Sequence, residues 1–203
     1  KTSTQDGDIS MSAGANAYTK GARNFIIEQN GLLESGRDIT LTGRNGDLHV
    51  TDAIQASRDL NTQVNEQGGV YFDRDANLKG DFSVNIADGD VSMQNLQAEG
   101  NVSINVGLGN LQMQDMIAGG DAYVSVQNGD ISLHDVTAEG NATVMNTGRG
   151  SINADSVTSG EVTHVELANG DLYLNVAEGR AVLVHMGENT EASRVHNILA
   201  KAS

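Results

Sequence analysis

Gly89-Asp90-Val91-Ser92-Met93-Gln94-Asn95-Leu96-Gln97-Ala98-Glu99-Gly100-Asn101 returns forty residues on as Gly129-Asp130-Ile131-Ser132-Leu133-His134-Asp135-Val136-Thr137-Ala138-Glu139-Gly140-Asn141. Midway between them lies Gly109-Asn110-Leu111-Gln112-Met113-Gln114-Asp115-Met116-Ile117-Ala118-Gly119-Gly120-Asp121. The period is therefore 20 residues, and a fixed period of this size marks a repeat architecture. Working outward, one glycine column reads Gly46, Gly69, Gly89, Gly109, Gly129, Gly150, Gly170, and a second reads Gly36, Arg58, Gly80, Gly100, Gly120, Gly140, Gly160. Within each unit apolar and polar residues alternate, as in Phe82-Ser83-Val84-Asn85-Ile86 and Val102-Ser103-Ile104-Asn105-Val106. Alternation over three to five residues means short strands with one buried face. The Asn-Gly-Asp and Gly-Asn segments between them supply the backbone bends.

A unit of this length holds about three strands and three bends, each strand pairing in parallel with its equivalent in the next unit. The fold class is all-β, a parallel β-helix (β-solenoid) with about 20 residues per rung. The right-handed sense follows from the general hand of parallel crossovers. Roughly ten rungs at ~4.8 Å make a rod ~45–50 Å long. Three inward ladders are expected: Val91, Leu111, Ile131, Ile152, Leu172; Met93, Met113, Leu133, Ala154, Leu174; and Val84, Ile104, Val124, Val144. The turn after the first glycine column reads Asp47, Val70, Asp90, Asn110, Asp130, Ser151, Asp171, and the other turn reads Asp81, Asn101, Asp121, Asn141, Glu161. Acid alternates with neutral residues, which spaces like charges about two rungs apart.

Residues 1–203 read as a single solenoid, irregular over 1–75 and regular over 76–203, and as an excerpt of a longer array. Near the start, Gly21 with Phe25-Ile26-Ile27 suggests an expanded rung, and Tyr18, Phe25, Tyr71, Phe72 and Phe82 suggest a wider cross-section at that end. At the other end, Thr190–Ala200 reads either as a capped amphipathic helix or as another rung. The overlay of Val195-His196-Asn197-Ile198-Leu199-Ala200 on Leu133-His134-Asp135-Val136-Thr137-Ala138 favours the rung.

Composition narrows the function. The 203 residues include 24 Gly, no Pro, no Cys and no Trp, and 12 Lys and Arg face 27 Asp and Glu for a formal charge of −15. Without Cys there is no disulfide scaffold, thiolate zinc site, iron–sulfur centre or thiol nucleophile. Negative charge and the shortage of aromatics argue against nucleic-acid partners. No apolar run reaches the ~20 residues of a membrane-spanning helix, so no membrane insertion by this segment is expected. Pro would delete ladder hydrogen bonds, so its absence suits a continuous solenoid.

The sequence carries few motifs of chemical function. Phosphate-loop and glycine-rich calcium-repeat motifs do not occur. The acidic turns at Asp90, Asp130 and Asp171 offer at most weak calcium binding, since one carboxylate every second rung is a sparse ligand set. The five His residues are scattered: His49 and His134 sit at outward positions about four rungs apart, and the spacing of His164, His185 and His196 brings at most two near each other. Asp73 with Asp75 and Asp88 with Asp90 have the spacing of general acid/base pairs, but on so acidic a chain they read as a solvated edge. Arg37-Asp38 and Arg58-Asp59 read as ion pairs between rungs. No catalytic residue, cofactor or firm metal site is assigned. The structural assignments are the turn column Gly89, Gly109, Gly129, Gly150, Gly170 and the core ladder Val91, Leu111, Ile131, Ile152, Leu172.

The unit Ala118 to Leu133 resembles the repeats of filamentous-haemagglutinin-like adhesins, with the leukotoxin-family filamentous adhesins closest in texture. The resemblance implies a β-helical rod exported by two-partner (type V) secretion and placed outside the cell or at the bacterial surface. The expected role is a non-enzymatic rod or stalk segment of a large adhesin or extracellular filament. Its partners would be a host or neighbouring-cell surface, or further copies of itself, end to end or side by side. The alternative is a carbohydrate-binding or polysaccharide-processing β-helix, of the lyase or tailspike kind.

Overall fold

The computed structural model of the protein describes residues 2–5, 7–13, 27–29, 31–187 and 194–200. Among these residues the regular structure is all strand, gathered into one fourteen-strand and one nine-strand sheet. Every pairing between them is parallel and joins equivalent positions of successive units. The fold is an all-β parallel β-solenoid with about 20 residues per rung. The nine successive passes through the smaller sheet correspond to about eight turns.

One rung shows the construction. Val102–Leu108 lies in the nine-strand sheet, a turn at Gly109-Asn110 follows, and Leu111–Ala118 crosses the fourteen-strand sheet before the chain turns again into Ala122–Asn128. In Leu111–Ala118 the inward residues are Leu111, Met113, Met116 and Ala118. Gln114 and Asp115 both face out, so the two-residue alternation slips by one and the strand folds around a corner. The corner is a sequence feature, clearest in Ile131–Ala138, which reads apolar-polar-apolar-polar-polar-apolar-polar-apolar. The rungs at Leu48 and Val70 use three residues there, as in Asp73-Arg74-Asp75, and their two arms are separate strands, as are Val91–Met93 and Leu96–Ala98 with two residues between them. From Leu111 onward the arms form one continuous strand.

The three expected ladders stand in register. Val91, Leu111, Ile131, Ile152 and Leu172 stack in order and continue back through Val70 and Leu48. All are essentially inaccessible to solvent. Met93 to Leu174 and Val84 to Val144 stack likewise. Short aliphatics suit this core because each side chain packs between its equivalents one rung below and above. Phe72 and Phe82 meet edge to face within it, with ring centroids 6.5 Å apart. Tyr18, Gly21 and Phe25 lie outside the described residues, so the expanded first rung does too.

Two columns differ from their expected membership, and rung length is the reason in both. The left-handed glycine in the second described rung is Gly68, not Gly69, because Gly46 to Gly68 spans 22 residues. Gly69 then takes the place of Asp90, and Val70 leaves the turn column for the core. In the second column Arg37 stands below Arg58, and Glu161 stands above Gly140, with their backbones hydrogen bonded in order. Gly36 and Gly160 are therefore one place early, and Val162 rather than Glu161 lies over Asn141. At the far end Arg194–Ala200 is a strand paired with Leu172–Gly179, setting Val195 against Leu174 and Ile198 against Ala177. That is the register of the overlay on Leu133 and Val136, and it replaces the helical alternative over these residues.

Candidate functional site

The turns carry a column of Asp and Asn residues on each side, and their oxygens are turned on the protein itself. Asp81 Oδ1 accepts the backbone N–H of Asn101 at 2.7 Å, Asn101 Oδ1 accepts that of Asp121 at 2.9 Å, and Asp121 Oδ1 accepts that of Asn141 at 2.7 Å. In the opposite turn Asp90 accepts from Asn110, Asn110 from Asp130, and Asp130 from Ser151, at 2.7, 2.8 and 2.8 Å. Asn and Asp are interchangeable in this role because each offers a side-chain carbonyl-type oxygen one rung below an N–H that has no strand partner. The candidate calcium positions Asp90, Asp130 and Asp171 share one column but are separated by Asn110 and Ser151. An Oδ1 of Asp90 and of Asp130 already serves the backbone. Asp73 and Asp75 face different partners, His49 Nε2 at 2.8 Å and Asn95 Nδ2 at 3.0 Å, and so do not form an acid/base pair.

Adjacent rungs are also tied by ion pairs. Arg58 Nε lies 3.5 Å from Asp38 Oδ1, Arg37 Nε 3.4 Å from Asp8 Oδ1, and Arg180 Nη1 3.0 Å from Glu161 Oε1. The acids of the second turn do not alternate at its start: Asp38, Asp59 and Asp81 occupy successive rungs. Arg37 and Arg58 lie beside this run.

The outer ridge of the corner is where titratable groups converge. His134 Nδ1 lies 2.7 Å from Asp115 Oδ1 on the rung below and 3.5 Å from Asp135 Oδ2 beside it. Its Nε2 lies 3.7 Å from Asp155 Oδ2 on the rung above. Hydrogen bonding to Asp115, with the negative charge of Asp135 adding to it, holds the imidazole pKa above the ordinary histidine value. Asp115, His134 and Asp135 are the one group of potential metal-ligating side chains among the described residues. Residue-by-residue reading leaves His134 isolated, but stacking the units at period 20 places Asp115 under Asp135 and thus beside it.

Two hollows among the described residues are lined largely by polar side chains. The first, of about 330 Å³, is lined by Asp47, His49, Tyr71 and Asp73, with the His49 and Tyr71 rings edge to face at 6.0 Å. Partial burial, with Asp47 and Asp90 nearby, pushes the Tyr71 hydroxyl pKa up. The second is an open groove of about 560 Å³ along the second arm of the corner, lined by Thr4, Glu34, Gln55, Asn77, Lys79 and Gln97 among others. His164 lies 3.7 Å from Glu166, His185 stands in register with Glu166, and the His196 side chain lies outside the described residues. No helix among the described residues is long and apolar enough to cross a membrane.

Geometry and ladders together define a parallel β-solenoid whose titratable groups gather on its turns and corner ridge. The family model described as Toastrack DUF4097 matches residues 79–190, more than half of the chain, and the chain belongs to that family. No curated protein and no solved structure matches it. The family match corrects the resemblance to filamentous-haemagglutinin-like and leukotoxin-family repeats, because the unit that carried it, Ala118 to Leu133, lies inside the matched span. Gly-Asp turns and alternating strands follow from the rung geometry of any parallel solenoid, so their texture does not separate one such family from another. The type V export that the resemblance implied has no other support.

Proposed function

We propose that the chain is a non-catalytic rod segment of a larger protein at the bacterial cell surface or outside the cell. In this reading it mediates adhesion or assembly through its outer faces. The observation that carries the reading is the commitment of the turn oxygens: in both columns they cap backbone N–H groups of the next rung. Side chains bound in this way serve continuity of the rod. Replacing the inward Val124 with Asp buries a charge among Ile104 and Val144. This should cost several kcal/mol and abolish the β-sheet circular dichroism signal at room temperature. Ser132→Ala, on the outward face, leaves the melting curve in place. In cells, labelling of the intact surface should reach the wild-type chain, and a chain found only behind the membrane sinks the location. Hydrolysis of a polysaccharide that disappears on substituting an outward carboxylate sinks the non-catalytic reading.

A second reading, saccharide binding, is favoured by the open groove. Its amides, hydroxyls and carboxylates at Thr4, Glu34, Gln55, Asn77 and Gln97 match the hydrogen-bonding needs of sugar hydroxyls. A glycan array that retains a ligand on wild type and loses it on Gln55→Ala with Asn77→Ala supports this reading. A blank array rejects it.

A further inference from the structure

We propose that the corner ridge carries a binding site for a zinc-class divalent cation, with His134 Nδ1, Asp115 and Asp135 as protein ligands and Asp155 holding the far side of the imidazole. One donor atom from each of the three ligands lies within 4.8 Å of the others. In tetrahedral zinc, with Zn–N and Zn–O bonds of about 2.0–2.2 Å, neighbouring donors stand about 3.3 Å apart. His134 Nδ1 and Asp135 Oδ2 are already 3.5 Å apart. Asp115 Oδ1, at 2.7 Å, needs to open by about half an ångström to reach that spacing. The His134 and Asp115 side chains are each about half exposed to solvent. Three protein donors leave the fourth position to water.

Two further features favour a cation here over a simple ion pair. Asp115 and Asp135 are in register on adjacent rungs. Like charges facing each other across a strand pair repel. The turn columns over the same rungs avoid this by placing Asn or Ser between acids, whereas on the ridge, among the described residues, only His134 lies within ion-pairing distance of the two. The other ring nitrogen also has its partner in place. Asp155 Oδ2 lies 3.7 Å from Nε2, and Asp155 Oδ1 is itself held by Asn175 Nδ2 at 2.8 Å. A ligating histidine whose second nitrogen faces an anchored carboxylate is the usual outer-shell arrangement of zinc sites. The imidazole among the donors selects zinc, nickel, copper or cobalt over calcium and magnesium, which take oxygen alone.

The test uses the full chain and zinc chloride alone, followed by isothermal titration calorimetry, with cobalt(II) absorption as a second readout. One zinc per chain is expected, together with the visible bands of cobalt bound to nitrogen and oxygen. His134→Ala and Asp135→Asn should lose the zinc heat and the bands. Asp155→Asn should weaken binding by about 10–100-fold while keeping the stoichiometry. His185→Ala, an exposed histidine away from the ridge, should leave both unchanged. Circular dichroism of each variant confirms that the solenoid is intact. Zinc binding that survives His134→Ala, a calcium affinity equal to that for zinc, or no heat from the wild-type chain overturns the proposal and leaves Asp115 and His134 as an ion pair only.

Discussion

At the scale of single residues, the solenoid is sensitive where one polar atom departs from the ladder rule. Thr62 stands between Leu41 and Val84 in the core, and its buried Oγ1 has no hydrogen-bond partner. A buried hydroxyl without a partner carries its desolvation cost uncompensated. Thr62→Val should therefore raise stability by about 1–2 kcal/mol, read as a higher urea midpoint at unchanged slope. His134 gives a test in pH. In the metal-free protein its pKa is raised, chiefly by hydrogen bonding to Asp115 and then by the charge of Asp135. The folded state thus favours the imidazolium more than the unfolded chain does. The resulting stability is fully present below the unfolded value near 6.5 and is lost as pH rises through the higher folded value. Proton NMR should place the His134 titration above that of an unstructured histidine and return it toward 6.5 in Asp115→Asn. The midpoint difference between wild type and His134→Gln should shrink as pH rises through the same range. Glycine is required where the backbone enters the left-handed region: at Gly129, φ is 138°, and a Cβ would collide with the carbonyl oxygen of Gly109 one rung below.

At the scale of elements, regular rungs follow from the 20-residue period and irregular ones need compensation. The rung from Gly129 to Gly150 holds one extra residue, and the pairing of Ala122–Asn128 with Ala142–Arg149 shifts register there. Asn146 meets that disturbance. It sits fully buried in the column of Ile86, Val106 and Val126, donates from Nδ2 to Gly129 O at 2.6 Å and accepts the Gly148 N–H at 3.2 Å. Asn146→Val restores an apolar column yet leaves those backbone groups without the amide. It should destabilise by about 1–3 kcal/mol in chemical denaturation. A rise in stability would mean that the bulge needs no such support. The same irregularity explains what was legible in the sequence. The ladders through Val91 and Val84 could be read because 20-residue rungs keep equivalent residues a constant distance apart. Gly68 and Glu161 were misplaced because a rung of 22 or 21 residues moves its neighbours without changing composition. The ridge around His134 was hidden for a different reason. Its contacts between rungs join residues 19 to 21 apart in sequence, and no motif in a single unit contains them.

At the scale of the whole molecule, charge and repetition dominate. With a formal charge of −15 spread over outward turns, the rod repels itself along its length. Raising sodium chloride from about 10 mM to about 100 mM shortens the screening length from roughly 30 to 10 Å and should raise the melting temperature. A melting temperature that falls or stays level would mean that the inter-rung pairs of Arg37, Arg58 and Arg180 outweigh the repulsion. The step between Gly109 and Gly129 has a further consequence. On both sides of it the strands, the corner and the two turn acceptors meet equivalents of themselves. A duplicate of residues 109–128 spliced in before Gly129 would find the same neighbours below and above, and would lengthen the rod by one strand spacing of about 4.8 Å. Length in this half of the molecule is thus a quantity that gene duplication can adjust in unit increments, while the 22-residue rung at Gly46 fixes a position where such copying would be out of step.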